Sequence, residues 1–256
     1  MICFSVNSGS NGNCIYVEAG GARLLFDAGV SGKRTAERLA AHGRDVRDVD
    51  AVIVSHDHAD HIRCAGVLSR KFGLPVRMTR RTHGAGRRAV GLGPIEDLAH
   101  FEPGETLRFG RAKVYTVATP HDAADPVAFV IAAGGRRVGI LTDLGCVFDG
   151  LAELIGALDG VFLESNYDPR MLAAGPYPAA LKRRIIGDGG HLSNVESAEL
   201  LASAADGRLQ WVALSHLSET NNTPDAAVAM HARIAGDRRP IHVAGRDGPS
   251  EQLRVE

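Results

Sequence analysis

The chain has 256 residues, of which 45% are hydrophobic and 23% charged, and its formal net charge at pH 7 is −1. This length allows one large α/β domain or two small ones, and the balanced charge excludes a globally basic nucleic-acid binder. Residues 1–20 lack the features of a signal peptide, no apolar run approaches the roughly 18–20 residues of a membrane span, and the cysteines form no CxxC pair. We therefore expect a cytoplasmic protein with no membrane contact.

The first half of the chain is predicted to be rich in strands, because short apolar runs alternate with Ser, Gly and Asn clusters, as in a meander. In chain order the pattern predicts strands at 2–6, 14–18 and 23–26, a helix at 33–41, a strand at 51–54 and a helix at 62–72. It then predicts strands at 112–118, 127–132 and 137–142.

After residue 145 the pattern becomes more helical. It predicts a helix at 147–158, a strand at 160–163, helices at 177–186 and 194–204, a strand at 209–214, a helix at 224–235 and a strand at 241–243. No linker or internal repeat divides the chain, so residues 1–256 are predicted to form a single domain. A strand-rich first half followed by alternating helices and strands favours an α/β fold of two packed sheets with helices outside.

The most informative motif follows the predicted strand at 51–54. The run from Ser55 to His61 is SHDHADH and holds three imidazoles and two carboxylates. His56 and His58 are two apart on extended backbone and point the same way, whereas Asp60 and His61 can face a second point nearby. Burying this much polarity without a metal is costly, and two such points suit metal ions about 3.5–4 Å apart. The motif therefore predicts a dinuclear metal centre.

Further metal-ligand residue types stand directly after apolar runs, at the ends of predicted strands where sites are normally built. These residues are Asp27, His121, Asp143 and His216. Any one of them alone is equally well explained as a polar loop residue. Four of them in addition to the histidine cluster strengthen the prediction of a metal site.

Together these motifs resemble the metallo-β-lactamase superfamily, whose signature is HxHxDH followed by a downstream His, Asp and His. The resemblance implies a four-layer αβ/βα sandwich with the metals at one edge of the two sheets. It implies one ion held by His56, His58 and His121, a second held by Asp60, His61 and His216, and Asp143 bridging the two. Asp27 is expected to orient a ligand rather than to bind metal. Imidazole-rich ligation suits zinc, while the carboxylates also admit manganese or iron.

Three further motifs narrow the choice within the superfamily: SGSNGNC at 8–14, HLSN at 191–194 and LSHLSETNN at 214–222. With the metal motifs they are similar to the YycJ/WalJ family, regarded as 5′-to-3′ DNA exonucleases. The arrangement of His191 and His216 also resembles ribonuclease Z. Residues 144–215 are too few for the β-CASP domain that ribonuclease J inserts there. Both resemblances imply hydrolysis of a phosphodiester. We expect nucleic acid as the substrate, and DNA rather than RNA.

In the implied mechanism a bridging hydroxide, held by Asp143 and two divalent ions, attacks phosphorus in line, and His191 gives a proton to the leaving oxygen. Asp60, a ligand of the second ion, is expected to be essential for activity. A surface histidine is the plain alternative for His191, and a plain β-turn is the alternative for the loop at 8–14. Substrate contacts are expected from Ser10, Asn11, Asn13, Asn194 and Asn221. Glu164, which ends the predicted strand at 160–163, is a possible partner for a ligand histidine and stays outside this core set.

Charge patterning gives modest support for a nucleic-acid substrate. Residues 62–95 contain no Asp or Glu but eight basic residues, and Lys182, Arg183 and Arg184 form a second cluster. Such patches bind phosphate backbones, although a solvated helical face explains them equally well. One rival function is a hydrolase of small esters, lactones or cyclic phosphodiesters, which a narrow apolar pocket would favour. Another is a metal-binding sensor without turnover.

Overall fold

A computed structural model describes residues 1–204 and 208–256, and within these ranges the chain forms two seven-stranded sheets. The first sheet contains β1 (Ile2–Asn7), β2 (Cys14–Ala19), β3 (Ala22–Phe26), β4 (Ala51–Ile53), β5 (Val76–Met78), β6 (Leu98–His100) and β14 (Leu253–Arg254). The second contains β7 (Thr106–Phe109), β8 (Ala112–Ala118), β9 (Val127–Ala133), β10 (Arg136–Leu141), β11 (Gly160–Glu164), β12 (Trp211–Ser215) and β13 (Ile241–Val243).

The two sheets share one plan, an antiparallel meander that continues into parallel strands. The first sheet has the order β14-β1-β2-β3-β4-β5-β6 and is parallel from β3 onward. The second has the order β13-β12-β11-β10-β9-β8-β7 and is parallel from β10 to β13. Because parallel neighbours end at the same edge, residues that follow these strands lie close together along that edge.

The helices cover the outer faces of both sheets. They are α1 (Gly32–Ala40), α2 (Ala59–Ile62), α3 (Ala65–Phe72), α4 (Arg80–Val90), α5 (Leu151–Gly156), α6 (Pro169–Ala174), α7 (Ala179–Ile186), α8 (Asn194–Ser203) and α9 (Pro224–Ala235). Capping residues set several starts: Thr79 caps α4, and Ser193 forms a capping box with Glu196 at α8. No helix in the described part of the chain is long and apolar enough to cross a membrane.

Alternation along the strands separates three cores. In β3, Leu24 and Phe26 pack between the two sheets, whereas Leu25 packs on the outer face under the first helices. In β11, Phe162 belongs to the core between the sheets and Leu163 to the outer core under α5 and α8. Helix, sheet, sheet and helix layers follow from this alternation. The predicted four-layer αβ/βα sandwich is confirmed.

The predicted strands lie within two residues of strands in the structure, but two predicted helices need correction. The helix predicted at 62–72 is split into α2 and α3, because the backbone N–H of Cys64 donates to Ala28 O instead of continuing a helix. The helix predicted at 147–158 is only α5, since Gly150 before it is left-handed, with φ of 83°. Five short elements (β5, β6, β7, β14 and α6) and the longer α4 were not predicted.

Candidate metal centre

The SHDHADH segment enters the site from the first sheet, at the end of β4. Asp27, which follows the neighbouring β3, anchors it: its Oδ1 accepts hydrogen bonds from the backbone N and the Oγ of Ser55 at 2.7 and 2.8 Å. Its Oδ2 lies 2.8 Å from Nδ1 of His61. Asp60 and His61 stand in the single turn of α2. The carboxylate of Asp27 therefore fixes the orientation of the His61 ring.

The second sheet supplies one residue from each of several strand ends. His121 comes after β8, Asp143 after β10 and His216 after β12. The backbone of Asp143 and His216, like that of Asp27, is left-handed, with φ of 56°, 58° and 66° in that order. This conformation costs non-glycine residues of the order of 1–3 kcal/mol each and tends to occur at functional sites. The strain is offset by packing and directs these side chains to one point.

The side chains from both sheets converge on one small volume. Ligand atoms that lie within 4.8 Å of one another belong to four overlapping groups. These are His56, His58 and His121; His56, His61 and Asp143; Asp60, His61 and His216; and Asp143, Glu164, His191 and His216. The structure thus brings together all seven residues that the resemblance implied as ligands.

Three contacts join the two sheets across this centre. Nδ1 of His58 lies 3.2 Å from Nε2 of His121. Oδ2 of Asp60 lies 3.3 Å from Nε2 of His216. Oδ2 of Asp143 lies 3.4 Å from Nε2 of His61. The site therefore depends on the packing of one sheet against the other, not on either sheet alone.

Two buried atoms at the centre lack any hydrogen-bond partner in the described chain: Nε2 of His56 and Oδ2 of Asp143. Buried polar atoms are nearly always satisfied, so a pair of exceptions facing one cluster calls for an ion. Neutral imidazole nitrogen and carboxylate oxygen are ligand types that divalent transition metals prefer. The donor set fits a dinuclear divalent metal site.

The charges of the cluster support the same conclusion. Burial alone would raise the pKa of Asp60 and Asp143, but the surrounding histidines hold both pKa values well below the ordinary range. Burial alone would lower the pKa of His216, but Asp143 and Asp60 raise that pKa to about 10. The carboxylates thus favour positive charge beside them: they raise the pKa of His61 and of His216, and divalent ions would supply such charge when bound.

Glu164, at the end of β11, belongs to the site although the sequence did not place it among the predicted ligand, catalytic or substrate-binding residues. Its Oε1 lies 2.8 Å from Nδ1 of His191 and 3.3 Å from Nδ1 of His216. Burial alone would raise its pKa, but His191 lowers the pKa of Glu164 to about 2. The position of Glu164 beside His216 follows from strand pairing: Glu164 pairs in register with Ser215, the residue before His216, on the adjacent parallel strand.

The predicted substrate residues of the loop at 8–14 fall into different environments. Ser10 is exposed. The amide of Asn11 accepts from Asn7 and donates to Arg246 O at 3.1 Å. Asn13 is buried, and its Nδ2 lies 3.1 Å from Oδ2 of Asp60 and 2.9 Å from Nε2 of His61. Asn13 therefore contacts the metal-ligand residues directly.

The other two predicted substrate residues are fully buried. The side chain of Asn194 is bonded to Ser165 and Asn222, and this network holds the start of α8 against the end of β11. The amide of Asn221 has no hydrogen-bond partner among the described residues. In this conformation neither side chain faces solvent. Asn194 is a structural connector here, which its short polar side chain in the HLSN motif did not reveal.

Comparison with known proteins settles which family these motifs represent. A profile of the metallo-beta-lactamase superfamily matches residues 8–169. Exodeoxyribonuclease WalJ of Streptococcus pneumoniae is 36% identical over 222 residues, which cover 86% of this chain and 82% of that protein. The chain belongs to the YycJ/WalJ family of the metallo-β-lactamase superfamily.

One further relative agrees with this assignment, and a solved structure agrees with the fold. Exodeoxyribonuclease YycJ of Bacillus anthracis is 36% identical over 220 residues, covering 86% of this chain and 83% of that protein. The crystal structure of the metallo-beta-lactamase fold protein YhfI from Bacillus subtilis superimposes with a TM-score of 0.75 at 16% identity, covering 99% of both chains. At that identity the match to YhfI supports the fold alone.

Proposed function

We propose that this YycJ/WalJ-family protein is a metal-dependent phosphodiesterase that degrades DNA as a 5′-to-3′ exonuclease. The observation that carries the proposal is the convergence of seven histidine and aspartate side chains from two sheets. Two of them have a buried ligand atom without a hydrogen bond in the described chain. The relatives that cover most of this chain are exodeoxyribonucleases, and this favours DNA and a terminal mode of attack.

The ligand roles follow the grouping of the side chains. We assign one ion to His56, His58 and His121, the other to Asp60, His61 and His216, and the bridging position to Asp143. Bound there, two divalent ions would acidify a water molecule and clamp the phosphate oxygens. The metal is proposed to be zinc or manganese, with iron also compatible with this donor set.

The chain's own residues would divide the remaining work. Asp27 and Glu164 keep the rings of His61 and His216 in a fixed orientation through their Nδ1 atoms. Glu164 also accepts from Nδ1 of His191, which leaves Nε2 of that ring to carry the proton that the departing oxygen needs. His191 is only partly buried, so substrate can reach it.

We further propose that residues 1–256 act as one hydrolase domain, without a β-CASP insertion, and that the protein works in the cytoplasm. Among the described residues Cys3, Cys14, Cys64 and Cys146 are all unpaired thiols, as expected in a reducing compartment.

The test uses purified protein with its metal content measured, and the same DNA carrying a label at either its 5′ or its 3′ end. With Mn²⁺ or Zn²⁺ added, a 5′-to-3′ exonuclease releases the 5′ label at once as a short product, whereas the 3′-labelled strand shortens progressively. Matched RNA tests the preference for DNA, and the Asp60→Ala protein serves as the inactive control.

Two results would contradict the proposal. Early release of the 3′ label, or products of internal cleavage from both labels, would rule out the 5′-to-3′ direction. A protein with two ions that hydrolyses small esters or lactones but leaves DNA and RNA intact would belong to the rival class of small-molecule hydrolases.

A further inference from the structure

Helix α4 adjoins the metal centre through the loop that carries His121, residues 119–126. Oγ1 of Thr82 donates to Ala124 O at 2.7 Å, and Arg81 forms an ion pair with Asp125 at 2.8 Å. The inward-facing Gly86 packs against Ile62, the residue after His61, where a Cβ on residue 86 would come within 2.7 Å of Ile62 Cδ1. The helix is therefore fixed beside both His61 and His121.

Helix α7 adjoins the same loop at Asp122. Nε and Nη2 of Arg184 bond the carboxylate of Asp122 at 2.5 and 3.1 Å. Asp122 N donates to Gly189 O at 3.0 Å, and Nδ1 of His121 lies 2.9 Å from Gly190 O. No residue of α7 is buried. The loop that carries His121 thus contacts one basic helix at Asp122 and another at Ala124 and Asp125.

Each helix keeps cations that the protein itself does not neutralise. Arg87 and Arg88 on α4 and Arg183 on α7 are exposed and form no ion pair with the described residues. Lys182 of α7 is half-buried; its ammonium donates to Ala173 O at 2.7 Å and pairs with no carboxylate of the described chain. Arg81 and Arg88 are seven residues apart and so lie on the same side of α4, the side of the loop that carries His121. Two carboxylates of that loop are already paired with Arg81 and Arg184, which leaves the other cations for an external anion.

The chemistry of these helices suits a polyanion read through its backbone. Neither α4 nor α7 contains Phe, Tyr or Trp, so neither offers a platform for base stacking. Arginine and lysine bind phosphates without regard to sequence. A small ester would use the metal centre and would not need these cations.

The geometry points to a phosphate-binding surface, formed by Arg87 and Arg88 of α4 and by Lys182 and Arg183 of α7, that holds a nucleic-acid strand of several nucleotides beside the metal centre. This inference rests on the proposed nuclease function and adds how the strand is held. It assigns to the surface the affinity for long substrates and to the metal centre the chemistry.

The test compares two neutralised variants, Arg87→Gln/Arg88→Gln and Lys182→Gln/Arg183→Gln, with a control of equal charge change, Arg108→Gln/Arg111→Gln. The control residues are exposed and lie at or beside the β7–β8 hairpin, at the opposite end of β8 from His121. The substrates are a 30-nucleotide single-stranded DNA and the p-nitrophenyl ester of thymidine 5′-monophosphate.

For single-stranded DNA, the slope of log affinity against log salt concentration is about −0.7 for each phosphate that the protein neutralises. At 50 mM salt the loss of one such contact therefore lowers the affinity roughly tenfold. We expect KM for the DNA to rise by at least roughly tenfold in each surface variant, with the slope of log KM against log salt shallower by about 1.4. Turnover of the small ester should stay within about twofold of wild type, and the control should match wild type on both substrates.

Equal KM values for DNA in the surface variants and the control would overturn the inference while the nuclease function stands. A parallel loss on the small ester would also overturn it, because the residues would then act on the metal centre. A wild-type protein that cleaves the small ester but not DNA would refute the nuclease function itself, and the surface with it.

Discussion

The two sheets contribute to the metal centre in different ways. The first sheet delivers four candidate ligands, His56, His58, Asp60 and His61, in one contiguous run. The second delivers His121, Asp143 and His216 singly, from strand ends that are far apart in sequence but neighbours in space. One half of the site is encoded locally, and the other half exists only when the second sheet has formed in the correct register.

Each sheet also provides one buried carboxylate that orients a ring through Nδ1. Asp27 serves His61 in the first sheet, and Glu164 serves His216 in the second. Glu164 differs because its Oε1 also lies 2.8 Å from Nδ1 of His191, so it would link ligand orientation to the proposed proton transfer. Under the proposed mechanism, the second sheet combines both tasks in one carboxylate, whereas the buried carboxylate of the first sheet only orients a ligand.

The largest effect is expected from removing one carboxylate ligand of each kind. Asp60→Ala and Asp143→Ala should each lower kcat/KM by roughly 10³-fold or more, because each loses several kcal/mol of metal-based stabilisation. Asp60 contacts one proposed ion and Asp143 both, so elemental analysis should find about one ion left in the first variant and fewer in the second. Circular dichroism should remain native. Full turnover in either variant with two ions bound would refute the ligand assignment.

Next in size is the effect of the proposed proton donor. His191→Ala should lower kcat on DNA by about 10²–10⁴-fold, the usual contribution of a general acid, with metal content unchanged. A p-nitrophenyl ester has a leaving group that needs no proton, so its hydrolysis should be nearly unaffected. An equal loss on both substrates would show that His191 does not act as the acid.

A smaller effect is expected when either of the two carboxylates that orient ligand rings, Asp27 or Glu164, is replaced by its amide. Asp27→Asn and Glu164→Gln should each weaken metal binding by roughly 10–100-fold, as is usual when a ligand's hydrogen-bond partner is changed. Only Glu164→Gln should also lower kcat on DNA after metal saturation, since only Glu164 contacts His191. If saturating metal restores Glu164→Gln fully, its contact with His191 has no role in turnover.

The smallest effect is a pair of opposed pH trends. His216 in the metal-free protein has a pKa of about 10, so metal must displace a proton there, and metal affinity should rise from pH 6.5 to 8.5. Because the pKa of His216 is higher in the folded than in the unfolded chain, where it is about 6.5, protonation of His216 stabilises the metal-free fold. This stabilisation is complete below pH 6.5 and declines as the pH rises towards 10, so the Tm of the metal-free protein should fall over that range. Calorimetry in buffers of different ionisation enthalpy measures the protons released. A metal affinity independent of pH would contradict this.

The contiguous half of the site could be predicted because its chemistry is local. SHDHADH after a buried strand combines the ligand types with the geometry in seven adjacent residues, and the resemblance then supplied the downstream ligands. Strand bounds were also well predicted, since buried β-branched runs ending in Gly, Ser or Asn have few alternatives.

What the sequence did not reveal depends on tertiary contacts. Helix α4 lacks an apolar stripe, because its inward positions are Thr82 and Gly86, whose small size lets the helix approach α2. Strands β5 and β6 have three residues each, too few for a periodic signal. The role of Glu164 follows only from the parallel pairing of β11 with β12.

The most direct test of the account is a titration of metal-free protein with Mn²⁺ while bound metal and degradation of 5′-labelled DNA are followed together. If both sheets build one dinuclear centre, activity should appear with the second ion and reach its plateau at two ions per chain. Full activity at one ion per chain, or no degradation of DNA at two, would contradict the central claim.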